Sequence, residues 1–356
     1  MTPTLQIGRH TLGLRQPTYF IADIAANHDG SLNKAIDLIG LCADAGANAA
    51  KFQNFAADTI VSDFGFSAMG SQQSHQSTWT KSVSQVYDDA SLPLDWTEAL
   101  REACDKSGVD YFTSPYDLDF IALLSNYVCA WKLGSGDITW HEMIERLASD
   151  HKPLLMATGA STMAEVRAAV AVSRKHTDQI VLMQCNTNYT ASVENFHHIA
   201  LNVLKTYALE FPDLILGLSD HTPGHATVLG AVALGARAVE KHFTDDVTSV
   251  GPDHAFAMDP TTWRDMVDRT RELEAALGIS EKRVMDNERG TVVVQRRAIR
   301  ATRDLAADAV VEAVDIEFLR PCPTDAIAPC NKDQLIGRRL RGGIQKGDCF
   351  RLSNLQ

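Results

Sequence analysis

The chain has 356 residues, 45% of them apolar, and a formal net charge of -12 at pH 7. That length suits a barrel of about 250 residues with a module appended. The acidic balance, with a pI near 5.4, disfavours a nucleic-acid partner, which wants a basic face for phosphates; a local pocket for a small anion is still compatible with it.

The seven cysteines are odd in number and scattered, and several lie in apolar runs. They are expected to be reduced thiols in a cytoplasmic protein rather than a disulfide frame. The first residues lack the basic start and apolar core of a signal peptide. No apolar run approaches the roughly 20 residues of a membrane helix.

Residues 1–18 have the pattern of a small hairpin, expected to cap the floor of a barrel. Short apolar runs then alternate with helical patterns. The runs are Tyr19–Ala25, Ala47–Gln53, Val109–Ser114, Ala130–Gly134, Pro153–Thr158, Ile180–Cys185, Ile215–Ser219 and Ala238–His242. Between them, segments such as Asn33–Ala45, Leu94–Lys106, Met163–Lys175 and Ala226–Leu234 place apolar residues three and four apart. Strand and helix alternating eight times predict a parallel (β/α)8 TIM barrel. The runs are apolar throughout, as strands covered on both faces should be. Residues 56–91, rich in Ser, Gln and Thr and holding Trp79 and Tyr87, read as a long second βα loop. Such loops are usually functional or mobile.

The barrel is expected to span 1–280, with a linker at 281–292 that is charged over Glu281–Arg289 and a second domain at 293–356. That domain carries 11 Lys/Arg against 8 Asp/Glu, a formal +3, which leaves -15 for residues 1–292. Opposite signs suit docking of the two modules.

A barrel of this kind places its active site at the C-terminal ends of its strands. The polar residues there form one expected ring. Asp23, Asn27 and His28 follow the first strand, and Lys51 and Gln53 sit on the second. Ser114 and Tyr116 come from the third, Lys132, Ser135 and Asp137 from the fourth, and Thr158 from the fifth. Thr187 and Tyr189 follow the sixth, Ser219 and His221 the seventh, and Glu240 and His242 the eighth.

His221 and His242 each end an apolar strand, Leu-Gly-Leu-Ser-Asp-His and Ala-Val-Glu-Lys-His. On neighbouring strands they would meet at one rim. With Ser219, Asp220 and Glu240 beside them they suggest a divalent-metal site with open positions for substrate. Lys51 and Lys132 interrupt apolar strands. A buried ammonium needs an anion or a carboxylate. The pair therefore suits a phosphate-carboxylate ligand such as phosphoenolpyruvate; one lysine could instead form a Schiff base, or each could be paired with Asp23 or Asp137. The glycines of Gly134-Ser-Gly136 and Thr158-Gly159 permit close backbone approach to a ligand. Asn27-His28-Asp29-Gly30-Ser31 reads equally as a turn with Ser31 as helix cap and as a substrate contact.

Taken together, Ile-Ala-Asp-Ile-Ala-Ala-Asn-His-Asp-Gly-Ser (21–31), Ala-Gly-Ala-Asn-Ala-Ala-Lys-Phe-Gln (45–53), Trp-Lys-Leu-Gly-Ser-Gly-Asp (131–137), Gly-Leu-Ser-Asp-His-Thr (217–222), Glu-Lys-His-Phe-Thr (240–244) and Gly-Pro-Asp-His (251–254) resemble the sialic acid synthase family. Phe-Leu-Arg-Pro (318–321) and Leu-Ile-Gly-Arg-Arg-Leu (335–340) resemble its C-terminal antifreeze-like SAF module. The resemblance implies condensation of phosphoenolpyruvate with the open-chain aldehyde of an N-acylmannosamine-type amino sugar, giving a nonulosonic acid and phosphate. It implies a divalent metal, Mn2+ with Mg2+ or Co2+ as alternatives, on His221 and His242. Lys51, Lys132, Ser114, Ser135 and Ser219 would hold phosphoenolpyruvate, joined on the same rim by Gln53 and Thr187, while Tyr189 and Asp253 would contact the sugar. Asp23, Asp137 and Glu240 are the implied catalytic carboxylates, and either Glu240 or Asp137 would activate water. A homodimer is implied, with the SAF module lidding the partner's barrel and Arg320 reaching the N-acyl end of the sugar.

The sequence departs from the family's pattern where Asp23 and Asp137 stand for the common Glu, in Ala157-Thr158-Gly159, and in Tyr189-Thr190. These changes bear on which sugar is used. Other readings of the same residues are a synthase acting on a phosphorylated aldose, a metal-dependent aldolase or hydrolase, and a non-catalytic carbohydrate-binding protein that kept the barrel.

Overall fold

The computed structural model describes residues 3–70, 76–77 and 79–356. They divide into two compact units, Met1–Gly278 and Ile279–Gln356. The break falls two residues before the expected end of the barrel, and the segment expected as a linker belongs to the second unit.

The first unit opens with an antiparallel hairpin, β1 (Thr4–Ile7) and β2 (His10–Gly13). Eight parallel strands follow and close on themselves. They are β3 (Tyr19–Asp23), β4 (Ala49–Asn54), β5 (Asp110–Pro115), β6 (Trp131–Leu133), β7 (Leu154–Ala157), β8 (Ile180–Cys185), β9 (Ile215–Asp220) and β10 (Ala238–His242). Each strand pairs with its neighbours in sequence, and β10 pairs back onto β3. This is the (β/α)8 barrel that the alternating pattern predicted, and every predicted run contains one of these strands or overlaps it within a few residues. Every residue of these eight strands is buried except Gln53, which is partly exposed. That accounts for the unbroken apolar runs.

The hairpin is tied to the N-terminal ends of the strands. Asp110, the first residue of β5, accepts from the Tyr19 hydroxyl at 2.8 Å and faces His10 Nδ1 at 2.9 Å. Gly8 makes the turn possible: its φ is +49°, and a Cβ there would stand 2.2 Å from Asp110 Oδ1. Only glycine meets both demands.

The long second loop is more ordered than its composition suggests. It carries short helices at Ala57–Ile60, Asp63–Ala68 and Val83–Ala90. The last has a capping box, in which Ser82 Oγ accepts from Gln85 N and the Gln85 side chain accepts from Ser82 N, satisfying two otherwise orphaned donors.

The second unit has its own small core, including Ile299, Val311, Leu335, Leu340 and Phe350. It is built from the pair β11 (Ala298–Ala301) and β12 (Ile316–Leu319) and from isolated bridges such as Leu305 to Ile344 and Leu340 to Leu355. A helix at Arg289–Gln295 precedes β11. Among the described residues no helix is long and apolar enough to cross a membrane.

Candidate active site

Strand geometry turns alternate side chains to opposite faces. On β10 this sends Glu240 and His242 into the barrel mouth and Lys241 outward; on β9 Ser219 points in and Asp220 out. The register sets Glu240 beside Ser219, Lys241 beside Asp220, and His242 beside Asp23.

The outward pair is structural. Lys241 Nζ lies 2.5 Å from Asp220 Oδ2, and both are buried. Thr222 and Thr227 hydroxyls donate to the same carboxylate at 2.8 and 2.7 Å. Asp220, expected beside the histidines at the rim, thus faces away from the site. Lys241 and these hydroxyls outweigh the cost of burial and hold its carboxyl below the usual carboxylate range.

The inward residues form one connected network. Lys51 Nζ pairs with Asp23 Oδ2 at 2.7 Å and lies 4.0 Å from Glu240 Oε1. Lys132 Nζ pairs with Glu240 Oε1 at 3.2 Å, not with Asp137. Ser219 Oγ donates to Glu240 Oε1 at 3.2 Å, and Gln53 Nε2 donates to Asp23 Oδ2 at 3.2 Å. His242 Nε2 stands 3.5 Å from Asp23 Oδ2. Two lysines and two carboxylates share this floor, and all four are at least 95% buried.

Several buried polar atoms in the same place have no partner among the described residues: Ser114 Oγ, Asp23 Oδ1, Glu240 Oε2 and His242 Nδ1. Buried polar groups are normally satisfied, so a cluster of exceptions marks a place prepared for a ligand. Gly159 adds to it. Its amide donates to Ser135 Oγ at 3.0 Å, and a Cβ there would lie 1.9 Å from Thr187 Oγ1.

Above the floor lies a cavity of about 320 Å³, lined by Gln53, Ser135, Asp137, Thr187, Tyr189, His242 and Asp253 on the strand-end side. The Asp253 carboxylate accepts from Ala26 N at 3.2 Å. Burial raises the Asp137 carboxyl to about 6 despite the opposing field of Lys132. Burial likewise raises Asp253 to about 6.

His221 and His242 have ring centroids 5.5 Å apart, with Tyr189 4.3 Å from the first and Phe256 4.8 Å from the second. His221 Nδ1 lies 3.0 Å from the Asn186 carbonyl. As a donor there, it keeps its lone pair on Nε2, the tautomer a metal ligand needs; the Cys185 thiol also hydrogen-bonds this imidazole. His242 offers the unpartnered Nδ1. The two imidazoles therefore fit as two ligands of a divalent ion. No group of three His, Cys, Asp or Glu among the described residues is placed to hold an ion alone, so the other positions would fall to substrate or water.

Asn27 and His28 brace the rim. Asn27 Nδ2 donates to the Phe243 carbonyl at 2.9 Å, His28 Nδ1 accepts from Gly30 N at 3.1 Å, and Ser31 Oγ caps the following helix. Burial lowers His28 to about 4, which keeps it neutral. Arg320 lies exposed on the second unit. Three neighbours of the site escaped sequence reasoning. Phe55 and Phe256 carry no polar signal, and Cys185, at the end of β8 opposite Ser219, read as a reduced thiol although its place at a strand end was a signal.

Paired lysines and carboxylates at the strand C-termini of a closed (β/α)8 barrel, under an open polar cavity, define a barrel enzyme. The model of the NeuB family matches residues 38–282. N,N'-diacetyllegionaminic acid synthase of Legionella pneumophila is 33% identical over 343 residues, 94% of each chain. Human N-acetylneuraminate-9-phosphate synthase is 28% identical over 277 residues, 77% of this chain and 75% of its own. Among solved structures, the N-acetylneuraminic acid synthetase of Leptospira borgpetersenii, in complex with citrate, superposes with a TM-score of 0.71 at 25% identity, over 82% of this chain and 96% of its own. The chain belongs to the NeuB family of sialic acid synthases and is an enzyme of that type. Several of its relatives are named as nonulosonic acid synthases.

Proposed function

We propose that the enzyme condenses phosphoenolpyruvate with the open-chain aldehyde of an N-acylmannosamine-type sugar, releasing a nonulosonic acid and inorganic phosphate. The observation that carries this reading is the buried floor: Lys51 and Lys132 held by Asp23 and Glu240, with Ser114 Oγ and Glu240 Oε2 left unpartnered. Lysines at this depth, beside the Ser135 hydroxyl, suit a ligand bearing both phosphate and carboxylate.

The charges of the floor matter. Two ammonium groups and two carboxylates sum to zero, so an incoming di- or trianion needs compensation. A divalent ion on His221 and His242 would supply it, and would polarise the aldehyde oxygen as a Lewis acid. Mn2+ is the proposed ion.

The chain's own residues do the rest. The lysines and Ser135 hold the enol ester so that its C3 faces the aldehyde carbon, and orientation of this kind is worth several kcal/mol, up to about 7–11. A carbon–carbon bond forms from C3 to the aldehyde carbon as the carbonyl electron pair moves to the aldehyde oxygen, which takes a proton from solvent water. Positive charge develops at C2, and the nearby carboxylates stabilise it. Water adds at C2 and passes one proton to a carboxylate; the C2–O bond to phosphate then breaks as the C2 hydroxyl becomes the carbonyl and gives its remaining proton to the departing phosphate. Asp137 is the better base for that water, because it faces the cavity with a carboxyl raised to about 6, whereas Glu240 is held by Lys132 and Ser219. Catalytic bases work best with a pKa near the working pH.

We further propose that the second unit serves as a SAF-type lid over the barrel of a second copy in a homodimer, with Arg320 reaching the acyl end of the sugar. Arg320→Ala should then raise the sugar KM about tenfold or more and leave the phosphoenolpyruvate KM unchanged; the reverse pattern would remove Arg320 from the sugar site. The test of the reaction itself is phosphate release from phosphoenolpyruvate in the presence of Mn2+ and an aldose.

A further inference from the structure

A second cavity, of about 360 Å³, opens at the other end of the barrel, by the N-terminal ends of β9 and β10. Its volume lies within the roughly 300–1,000 Å³ of small-molecule sites. Leu14, just after the N-terminal hairpin, forms one side. The last turns of the helices Val203–Glu210 and Ala226–Ala233 form the other, through Ala208 and Val232. Phe211, Leu216 and Leu234 complete an apolar lining. Among the described residues that line the cavity, Arg237 alone is charged.

Arg237 immediately precedes β10 and is only 8% exposed. Its hydrogen-bond partners among the described residues are three backbone carbonyls. Nη1 donates to Val232 and Ala236 at 3.1 and 2.6 Å, and Nη2 donates to Leu14 at 3.3 Å. Glu274 is near enough for its charge to be felt, but its carboxylate is occupied by Thr18 N at 2.6 Å and Arg271 Nη1 at 2.8 Å. The carbonyls lie at the C-terminal end of the helix Ala226–Ala233, whose dipole offers about half a negative charge. Half a charge does not balance a guanidinium, and buried charges are normally paired. The Nε–H is buried and has no partner at all. Nη2 spends one of its two hydrogens on Leu14, so the Nε–Nη2 edge keeps two N–H groups at the spacing a carboxylate takes.

The chemistry of the lining narrows the occupant. An amine would meet a cation. A sugar or a phosphate would bring its polar atoms against carbon. A neutral apolar molecule would leave the guanidinium as it is. We propose that this cavity binds a small amphiphilic monocarboxylate, its apolar body against Leu14, Phe211 and Leu234 and its carboxylate on Arg237. The site is separate from the catalytic one. His242 ends the strand that Arg237 precedes, about 16 Å away at roughly 3.3 Å per residue.

The test is calorimetric titration of the full-length protein with octanoate, hexanoate, octanol and octylamine. The variants are Ala208→Phe, which fills the cavity from an exposed helix position, and Arg237→Met, each checked by its melting curve. Octanoate is expected to bind one per chain, about tenfold or more tighter than octanol, the worth of a hydrogen bond to a charged group. Hexanoate should bind about tenfold more weakly than octanoate, for the loss of two buried methylenes, and octylamine should not bind. Ala208→Phe should abolish octanoate binding without lowering the melting temperature. Arg237→Met should reduce octanoate to the affinity of octanol; if that variant does not fold, Ala208→Phe decides.

No binding of octanoate at millimolar concentration, octanol binding as tightly as octanoate, or an octanoate affinity unchanged in Ala208→Phe overturns the proposal. So does self-association that Ala208→Phe disrupts and octanoate leaves untouched, which would give the cavity to a second copy of the chain.

Discussion

Asp137 is placed where its charge costs the fold something, and it is the base of the proposed reaction. Its carboxyl is raised to about 6 by burial, so the folded chain binds this proton more tightly than the unfolded chain does. Below the unfolded value of about 3.9 both states are protonated and the group contributes nothing. Above about 6 the ionised form is penalised in the folded state alone. Asp137→Asn should therefore raise the melting temperature at pH 8 and leave it unchanged at pH 4. The same substitution should lower kcat severely, since the base is lost. In the wild type, turnover should fall as pH drops through 6 and Asp137 takes up its proton; Asp253, also raised to about 6, contributes to the same limb. A flat profile between pH 5 and 8 would remove both carboxylates from the chemistry. At the proposed metal site, His221→Ala should abolish Mn2+ binding, measured by calorimetry, together with turnover; retained Mn2+ affinity would contradict the ligand assignment. At this scale the sequence was informative where a residue violated its surroundings. Lys51 and Lys132 stood out because an ammonium does not belong in an apolar strand, and both sit in the floor. Which carboxylate each would take was not legible, because Glu240 and Asp137 are alike on paper and only the direction of the strand end separates them.

Strands β9 and β10 carry two chemistries on two faces, and the alternation decides which is which. The sequence Glu240-Lys241-His242 presents three polar residues in a row, yet only the first and third enter the site. Asp220 and Lys241 form a buried outward pair instead, and the sequence reading placed Asp220 at the rim because adjacency in the chain was taken for adjacency in space. Asp220→Ala leaves a buried unpaired ammonium, and should cost about 3–5 kcal/mol of stability, read as a lower urea midpoint with an unaltered m-value. A change below about 0.5 kcal/mol would show that the pair is solvated in solution. The eight strands themselves were legible, since parallel strands covered on both faces give unbroken apolar runs. The helix Val83–Ala90 was not, because four turns' worth of Ser, Gln and Thr around it mask a short amphipathic face. The caps that build it are local, and its apolar positions number too few to stand out from a loop.

At the scale of the whole chain, two cores are joined through residues 277–290, all of them exposed. Limited trypsin treatment should cut at Lys282 or Arg283 and yield a barrel fragment and a C-terminal fragment that both resist further digestion. Rapid degradation of either would contradict independent compactness. The acidic total charge belongs to the barrel, and the catalytic floor is a neutral island within it, with two lysines balanced by two carboxylates. We read that balance as a site prepared for an anion together with a compensating cation. The measurement that tests it most directly is inorganic phosphate released from phosphoenolpyruvate per aldose consumed, with and without Mn2+. One phosphate per sugar is expected, dependent on the aldose and abolished by EDTA. Phosphate release that proceeds without an aldose, or at an undiminished rate after EDTA, would contradict it.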